Sequence, residues 1–114
     1  MSTPNLSSFI WSVADLLRGV GPTLKDFGVS TALLDPALKL TTALGAPVAE
    51  NDDWSTSTNK AAIIAATAKL TFPFTEGTLD AAILITLSAG NYTALISGKN
   101  DTTGVALVEV YEIP

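Results

Sequence analysis

The last third of the chain, residues 80–114, most constrains the fold. It contains three runs rich in β-branched and apolar residues, 80–87, 92–98 and 105–113, separated by turn-forming clusters at 88–91 and 99–104. Runs of this kind, bounded by Gly, Asn, Asp and Ser, predict strands joined by hairpins. We therefore expect a mainly β fold, an antiparallel β-sandwich of the jelly-roll or immunoglobulin-like type.

Composition narrows the kinds of partner that the chain can have. Of its 114 residues, 47% are hydrophobic and 15% are charged, which suffices for the core of one domain. The net charge is −5 with only six Lys and Arg residues, so nucleic acid and anionic membrane surfaces are not expected partners. No apolar run approaches the roughly 18 residues of a membrane span, so membrane insertion is not expected. A protein or carbohydrate partner and the oligomeric state stay open.

The absence of two residue types removes most catalytic chemistry. The sequence has no cysteine and no histidine, which excludes thiol catalysis, Ser–His–Asp triads and the usual zinc sites. Glu109 and Glu112 cannot act as a carboxylate pair, because an odd separation within one strand places them on opposite faces. We therefore expect a protein that is not an enzyme and that has no cofactor, with calcium as the one candidate ion.

Residues 5–18 carry a helical pattern. Their apolar side chains recur at spacings of three and four residues, which places them on one face of a helix: Leu6, Phe9, Ile10, Val13, Leu16 and Leu17. Gly19 would end this helix. The pattern predicts an amphipathic helix that covers the core or, alternatively, docks on a partner with Trp11 as its anchor.

The same N-terminal segment lacks the features of a secretion signal. No basic residue precedes Arg18, and Asp15 interrupts the apolar stretch. The sequence therefore predicts a cytoplasmic chain unless it is exported by other means.

Proline and glycine set the element boundaries between residues 20 and 78. Pro22 and Gly28 bracket a short helical turn, and Pro36 precedes a strand at 37–42 whose return strand is 48–51. A short helix is predicted at 61–70. Alternation along the strands selects the expected core, which comprises Leu38, Leu40, Val48, Ile83, Ile85, Tyr92, Ala94, Ile96, Val108 and Val110.

Residues 5–19 resemble part of a known enzyme family. Their sequence, Asn-Leu-Ser-Ser-Phe-Ile-Trp-Ser-Val-Ala-Asp-Leu-Leu-Arg-Gly, is similar to the opening helix of the modification subunit of type I restriction enzymes. The Gly-rich cofactor loop and the Asn-Pro-Pro-Phe/Tyr motif of that family are missing, so a methyltransferase is excluded. This resemblance implies a partner-docking fragment.

Residues 20–114 contain a second set of segments that resemble a known family. They include Val-Gly-Pro-Thr-Leu-Lys-Asp-Phe-Gly-Val, Leu-Leu-Asp-Pro-Ala-Leu-Lys-Leu, Asn-Asp-Asp-Trp, Leu-Ser-Ala-Gly-Asn-Tyr-Thr-Ala-Leu-Ile-Ser-Gly and Thr-Thr-Gly-Val-Ala-Leu-Val-Glu-Val-Tyr-Glu. Together these segments resemble a C-terminal module of large secreted and cell-surface bacterial proteins, similar to the pre-peptidase C-terminal β-sandwich domains. The resemblance implies a non-catalytic extracellular or cell-surface accessory module with a structural or adhesion role.

The start of the chain departs from that module. In the family an apolar strand leads into the segment that corresponds to 18–22, and here the helical segment stands in its place. We therefore expect two parts, an N-terminal helix at 1–19 and a β-sandwich module at 20–114 in which one strand is replaced by the helix.

The cluster of Asn51, Asp52 and Asp53 is the main candidate site. Adjacent carboxylates and an amide carbonyl supply part of the oxygen shell that calcium requires. Asp35 precedes the strand whose hairpin partner ends at Asn51, so antiparallel pairing would bring it near, and Asp101 is a further candidate ligand. The alternative is that these residues end a strand and cap a turn.

Trp54 directly follows the acidic cluster. Its ring could stack on a sugar, or it could cover the end of the core, as large aromatic side chains commonly do. A small calcium- or carbohydrate-binding domain is therefore a third hypothesis, beside the accessory module and the docking fragment.

Overall fold

The computed structural model describes residues 12–68, 70, 72–75 and 77–113. Its elements are β1 (Ser12–Val20), a 3-10 helix (Pro22–Phe27), β2 (Pro36–Thr42), β3 (Pro47–Asn51), a 3-10 turn (Trp54–Thr56), α1 (Lys60–Thr67), β4 (Ala81–Ser88), β5 (Tyr92–Gly98), a 3-10 turn (Lys99–Asp101) and β6 (Leu107–Ile113). The strands form two antiparallel sheets, a first sheet in the order β4-β1-β6 and a second in the order β3-β2-β5. The prediction of a mainly β fold is confirmed.

Short sequence signals correctly predicted several of these element boundaries. Gly28 ends the first 3-10 helix with φ of 89°, in the left-handed region that glycine adopts without strain. The helix predicted at 61–70 is α1, whose Ile63 is fully buried. No helix in the described part of the chain is long and apolar enough to cross a membrane.

β1 corrects the prediction of an N-terminal helix. Residues 12–18 lie in this strand, which pairs with β4 on one side and with β6 on the other; residues 5–11, including Trp11, fall outside the described residues. The adjacent side chains of Leu16 and Leu17 are both buried, in different apolar clusters. A strand covered on both faces has a continuous apolar run, and in such a run spacings of three and four residues arise without a helix.

This strand also changes the expected organisation of the chain. The boundary predicted between residues 19 and 20 falls inside β1. β1 is the middle strand of the first sheet, and no helix stands in its place. From residue 12 onward, the N-terminal segment therefore folds with the rest of the described chain.

The first sheet is covered on both faces by apolar side chains. One cluster joins it to α1 and to the segment before β4, through Leu16, Val20, Trp54, Ile63, Ala66, Phe74 and Ala82. The other joins it to the second sheet, through Leu17, Leu38, Leu40, Ala81 and Ile83. The first sheet is thus the middle layer, between the helix and the second sheet.

The face of β6 that is turned towards the helix layer is the opposite of the face predicted to be buried. Val108 and Val110, expected in the core, are 36% and 60% exposed, whereas Glu109 and the partly buried Tyr111 turn towards the helix layer. The reason is Arg18, which is fully buried and lies directly opposite Glu109 in the register of β1 and β6. The other predicted core residues are buried or partly buried, namely Leu38, Leu40, Val48, Ile83, Ile85, Tyr92, Ala94 and Ile96.

Two asparagine side chains close the outer edge of β4. Asn51, at the end of β3, accepts a hydrogen bond from the backbone N–H of Ala82 at 3.0 Å. Asn59, just before α1, donates to the carbonyl oxygen of Leu84 at 3.1 Å. These bonds satisfy backbone groups that an open strand edge leaves unpaired. On the opposite side of the molecule, β5 and β6 each pair with a single one of the described strands.

Candidate functional site

The acidic corner consists of Asp35, Asp52, Asp53 and Lys99. Antiparallel pairing brings the start of β2 and the ends of β3 and β5 to the same end of the second sheet. The backbone N–H of Lys99 donates to the carbonyl oxygen of Asp35 at 2.8 Å. The Lys99 ammonium forms an ion pair with Asp52. Three strands therefore position this corner, although the four residues are far apart in the sequence.

Negative charge exceeds positive charge in the acidic corner. Burial raises the pKa of Asp53, and the carboxylates of Asp52 and Asp35 raise it further, while Lys99 lowers it. Asp35 Oδ1 and Asp53 Oδ1 are buried without a hydrogen-bond partner. The hydrogen bond and the charge of Asp52 raise the pKa of Lys99, so its ammonium group stays protonated. One ammonium group does not neutralise three carboxylates.

The predicted calcium ligands meet only in part. Asp35, Asp52 and Asp53 interact electrostatically, but the side chain of Asn51 is turned into the fold. Its Oδ1 accepts from a backbone N–H of β4, and its Nδ2 donates to the Asp53 carbonyl oxygen at 3.2 Å. Asp101 is exposed in the turn after β5. Among the described residues, no group of three or more acidic side chains is arranged to hold a metal ion.

Trp54 is part of the core and is not exposed for sugar stacking. Only 3% of it is exposed, its ring centroid lies 6.0 Å from that of Phe74, and its Nε1 donates to Thr78 Oγ1 at 3.0 Å. The ring therefore covers the end of the core and satisfies its one polar atom there.

Arg18 is a buried cation that sequence reasoning did not single out. Its Nε donates to Glu109 Oε1 at 2.8 Å, and one of its terminal nitrogens donates to the carbonyl oxygen of Phe72 at 2.8 Å. The guanidinium carbon lies 4.5 Å from the ring centroid of Phe72 and 4.3 Å from that of Phe74. The charge is thus paired with Glu109, hydrogen-bonded through two of its nitrogens and stacked between aromatic rings, while Nη2 is buried beside Glu109 Oε1 without a hydrogen bond.

Tyr111 completes the arrangement around Glu109. Its hydroxyl donates to Glu109 Oε2 at 2.8 Å. Burial, together with this hydrogen bond and the charge of Glu109, raises the pKa of Tyr111, so the phenol stays protonated and does not act as a base. A single charged residue inside each of two apolar runs, 16–20 and 105–111, was the sequence signal that could have identified this pair.

Asp80 is the second fully buried charged residue. Its Oδ1 accepts from the backbone N–H groups of Gly21 at 2.8 Å and Thr23 at 3.2 Å, and its Oδ2 accepts from Thr23 Oγ1 at 2.6 Å. These bonds hold the turn between β1 and the first 3-10 helix against the start of β4. Both oxygens are engaged by backbone and side-chain donors of the fold itself.

An open depression of about 440 Å³ lies on the outer face of the second sheet, next to the acidic corner. Lys39, Glu50, Leu95 and Ser97 line it together with Asp52. It combines both signs of charge with apolar surface, which suits weak contact with another macromolecule better than enclosure of a small substrate.

Comparisons of the chain with protein-family models, with curated proteins and with solved structures find no match.

Proposed function

We propose that this chain is a non-catalytic accessory module of a secreted or cell-surface protein, with a structural or adhesion role. In this proposal the two sheets form a β-sandwich of the jelly-roll or immunoglobulin-like type. The proposal rests on the resemblance of residues 20–114 and on the way in which the fold uses its buried polar groups.

One observation supports the proposal that the chain has no catalytic role. Arg18 and Asp80 are fully buried, and their partners are groups of the same fold, the Glu109 carboxylate, the Phe72 carbonyl and the donors of Gly21 and Thr23. Catalytic groups face a cleft with unspent hydrogen-bonding capacity, because a substrate must reach them. Buried charges used in this way stabilise a scaffold.

The docking-fragment alternative gains no support from the structure. It needs residues 5–19 as a helix with a free face, whereas residues 12–19 lie between two strands at the centre of the first sheet.

Calcium binding is a second candidate, and one specific observation favours it. The buried and unpartnered Oδ1 atoms of Asp35 and Asp53 belong to a corner with excess negative charge. A divalent cation would relieve that repulsion. It would have to complete its shell with backbone oxygens and water, because Asn51 is committed to β4.

A reporter assay tests the accessory role. The chain is fused to the C-terminus of an exported reporter enzyme, and reporter activity is compared between washed bacterial cells and the medium. We expect the fusion to be enriched on the cells relative to the reporter alone, and an Arg18→Ala fusion, which loses the buried ion pair with Glu109 and is expected to be destabilised, to be less enriched. Equal release of all three proteins into the medium would contradict the adhesion role.

A further inference from the structure

A groove lies between the two sheets. It has a volume of about 280 Å³, and Leu17 of β1, Leu40 of β2 and Leu87 of β4 give it a largely apolar lining. Tyr92 and Ala94 of β5 and Val110 of β6 also line it, so it reaches the strands β5 and β6. A groove of this size holds one long side chain more readily than a whole small-molecule ligand.

A buried carboxylate lies in this apolar groove. Asp15 lines it and is only 9% exposed. Among the described residues, no donor is hydrogen-bonded to this carboxylate and no cation is paired with it. The apolar surroundings disfavour the charged form of this carboxylate, and a cation beside it would stabilise that form.

A second carboxylate stands beside the first. Glu112 lies directly opposite Asp15 in the register of β1 and β6, and opposite residues of an antiparallel pair project from the same face. By the same rule Val110, opposite Leu17, marks that face as the groove side. Two like charges opposite one another repel, and burial together with Glu112 raises the pKa of Asp15. One end of the groove therefore favours a cation.

The edges beside the groove differ from the edge on the other side of the molecule. The asparagine side chains described above close β4, whereas β5 and β6 each have an edge without a strand partner among the described residues. β5 contains no charged residue, and Val108 and Val110 of β6 are exposed. An extended peptide can pair its backbone with such an edge.

We propose that the groove binds a basic side chain of an extended peptide segment in a partner protein, which pairs with the edge of β6. The aliphatic stem of a lysine would lie against Leu17, Leu40 and Val110, and its ammonium group would meet Asp15 and Glu112. Charge complementarity selects this occupant over an acidic or purely apolar peptide. This site is separate from the acidic corner. The proposal holds whether the protein is exported or stays in the cytoplasm.

Peptide titration followed by two-dimensional amide NMR tests the proposal on the full chain. The probe is the pentapeptide Thr-Val-Lys-Val-Thr, acetylated and amidated at its ends, and the matched control carries N-acetyl-lysine in place of lysine. We expect shift changes centred on Asp15, Leu17, Ala94 and Val110, and about tenfold weaker binding of the acetylated control, since one ion pair of this kind is lost.

Two variants separate the carboxylates from the groove walls. Glu112→Gln changes an exposed side chain and leaves the fold intact, and Asp15→Asn keeps the shape of the buried one. Each should reduce the preference for lysine over acetyl-lysine, and the double variant should abolish it. Equal binding of both peptides by the unchanged protein, shift changes centred elsewhere, or none at all would overturn the proposal.

Other occupants of the groove would also be seen in this experiment. Nuclear Overhauser contacts from Phe9 or Trp11 to the Val110 methyl groups of the free protein would mean that the chain fills its own groove. Shifts at Val110 that depend on protein concentration without peptide would mean that a second copy fills it. Either result would overturn the assignment to a partner peptide.

Discussion

Arg18 and Glu109 lie directly opposite one another in the ladder between β1 and β6, and their side chains form a buried ion pair at 2.7 Å. Because the guanidinium also stacks on Phe72 and Phe74, this one pair fixes the face of β6 that is buried and ties the segment before β4 to the first sheet. The consequences for stability are specific.

Breaking this pair from one side should be far more damaging than replacing it. Arg18→Met leaves Glu109 partly buried and unpaired and should lower the free energy of unfolding by ~3 kcal/mol. The double change Arg18→Met with Glu109→Met should recover a large part of that loss, because no unpaired charge remains. Urea denaturation of the four proteins of this cycle measures the difference. A loss below about 1 kcal/mol for Arg18→Met would show that the pair is not central.

Asp80 should be equally sensitive, for a different reason. Asp80→Ala leaves the backbone N–H groups of Gly21 and Thr23 buried without acceptors, which should cost about 2–4 kcal/mol. Thr23→Val removes only the hydroxyl donor and should cost about 1 kcal/mol. Equal effects of the two changes on the urea midpoint would indicate that the backbone bonds contribute little.

Asp15 should make stability depend on pH. Burial and then Glu112 raise its folded-state pKa above the ordinary 3.8, so the folded protein binds this proton more tightly than the unfolded chain does. Asp15 therefore costs stability at neutral pH, and the cost disappears as the pH falls through the folded-state pKa towards 3.8. Asp15→Asn should raise the melting temperature by a few degrees at neutral pH, and the gain should shrink in acid.

The control for this prediction is Asp26→Asn, the same change at an exposed position of the first 3-10 helix, which should leave the melting temperature unchanged. A gain for Asp15→Asn that stays constant between neutral and acidic pH would show that its carboxylate does not titrate differently in the folded state.

Calcium binding at the acidic corner should be stronger when Lys99 is removed. In the native chain the Lys99 ammonium already occupies the side of Asp52. Millimolar calcium should raise the melting temperature of the native protein, and it should raise that of Lys99→Met more, since calcium binds only the folded corner. Asp52→Ala should reduce the effect. If neither the native protein nor Lys99→Met responds, these residues serve only to end strands and cap turns.

Short-range signals predicted more of this fold than of its site. Pro36 and Gly28 mark the starts and ends of elements through their own backbone constraints, and the alternation of Leu38 and Leu40 correctly gives the buried face of β2. These properties belong to a few consecutive residues, so a sequence reveals them.

Features that depend on pairing between distant residues were not predicted. Both faces of β1 are covered, so Leu16 and Leu17 show no alternation, and the strand was mistaken for a helix. Nothing near Glu109 in the sequence indicates that Arg18 will lie opposite. Antiparallel pairing did place Asp35 near Asp53, but Lys99 reaches that corner only through the pairing of β2 with β5.

β1 is the element that both apolar clusters, the Arg18–Glu109 pair and the groove beside Asp15 have in common. Amide hydrogen exchange measures its position directly, because the N–H groups of a middle strand open only when most of the domain unfolds. We predict that the amides of Leu16, Leu17 and Arg18 are among the slowest to exchange in the protein. Exchange at these positions as fast as in the turn at 99–104 would contradict a central strand at Ser12–Val20.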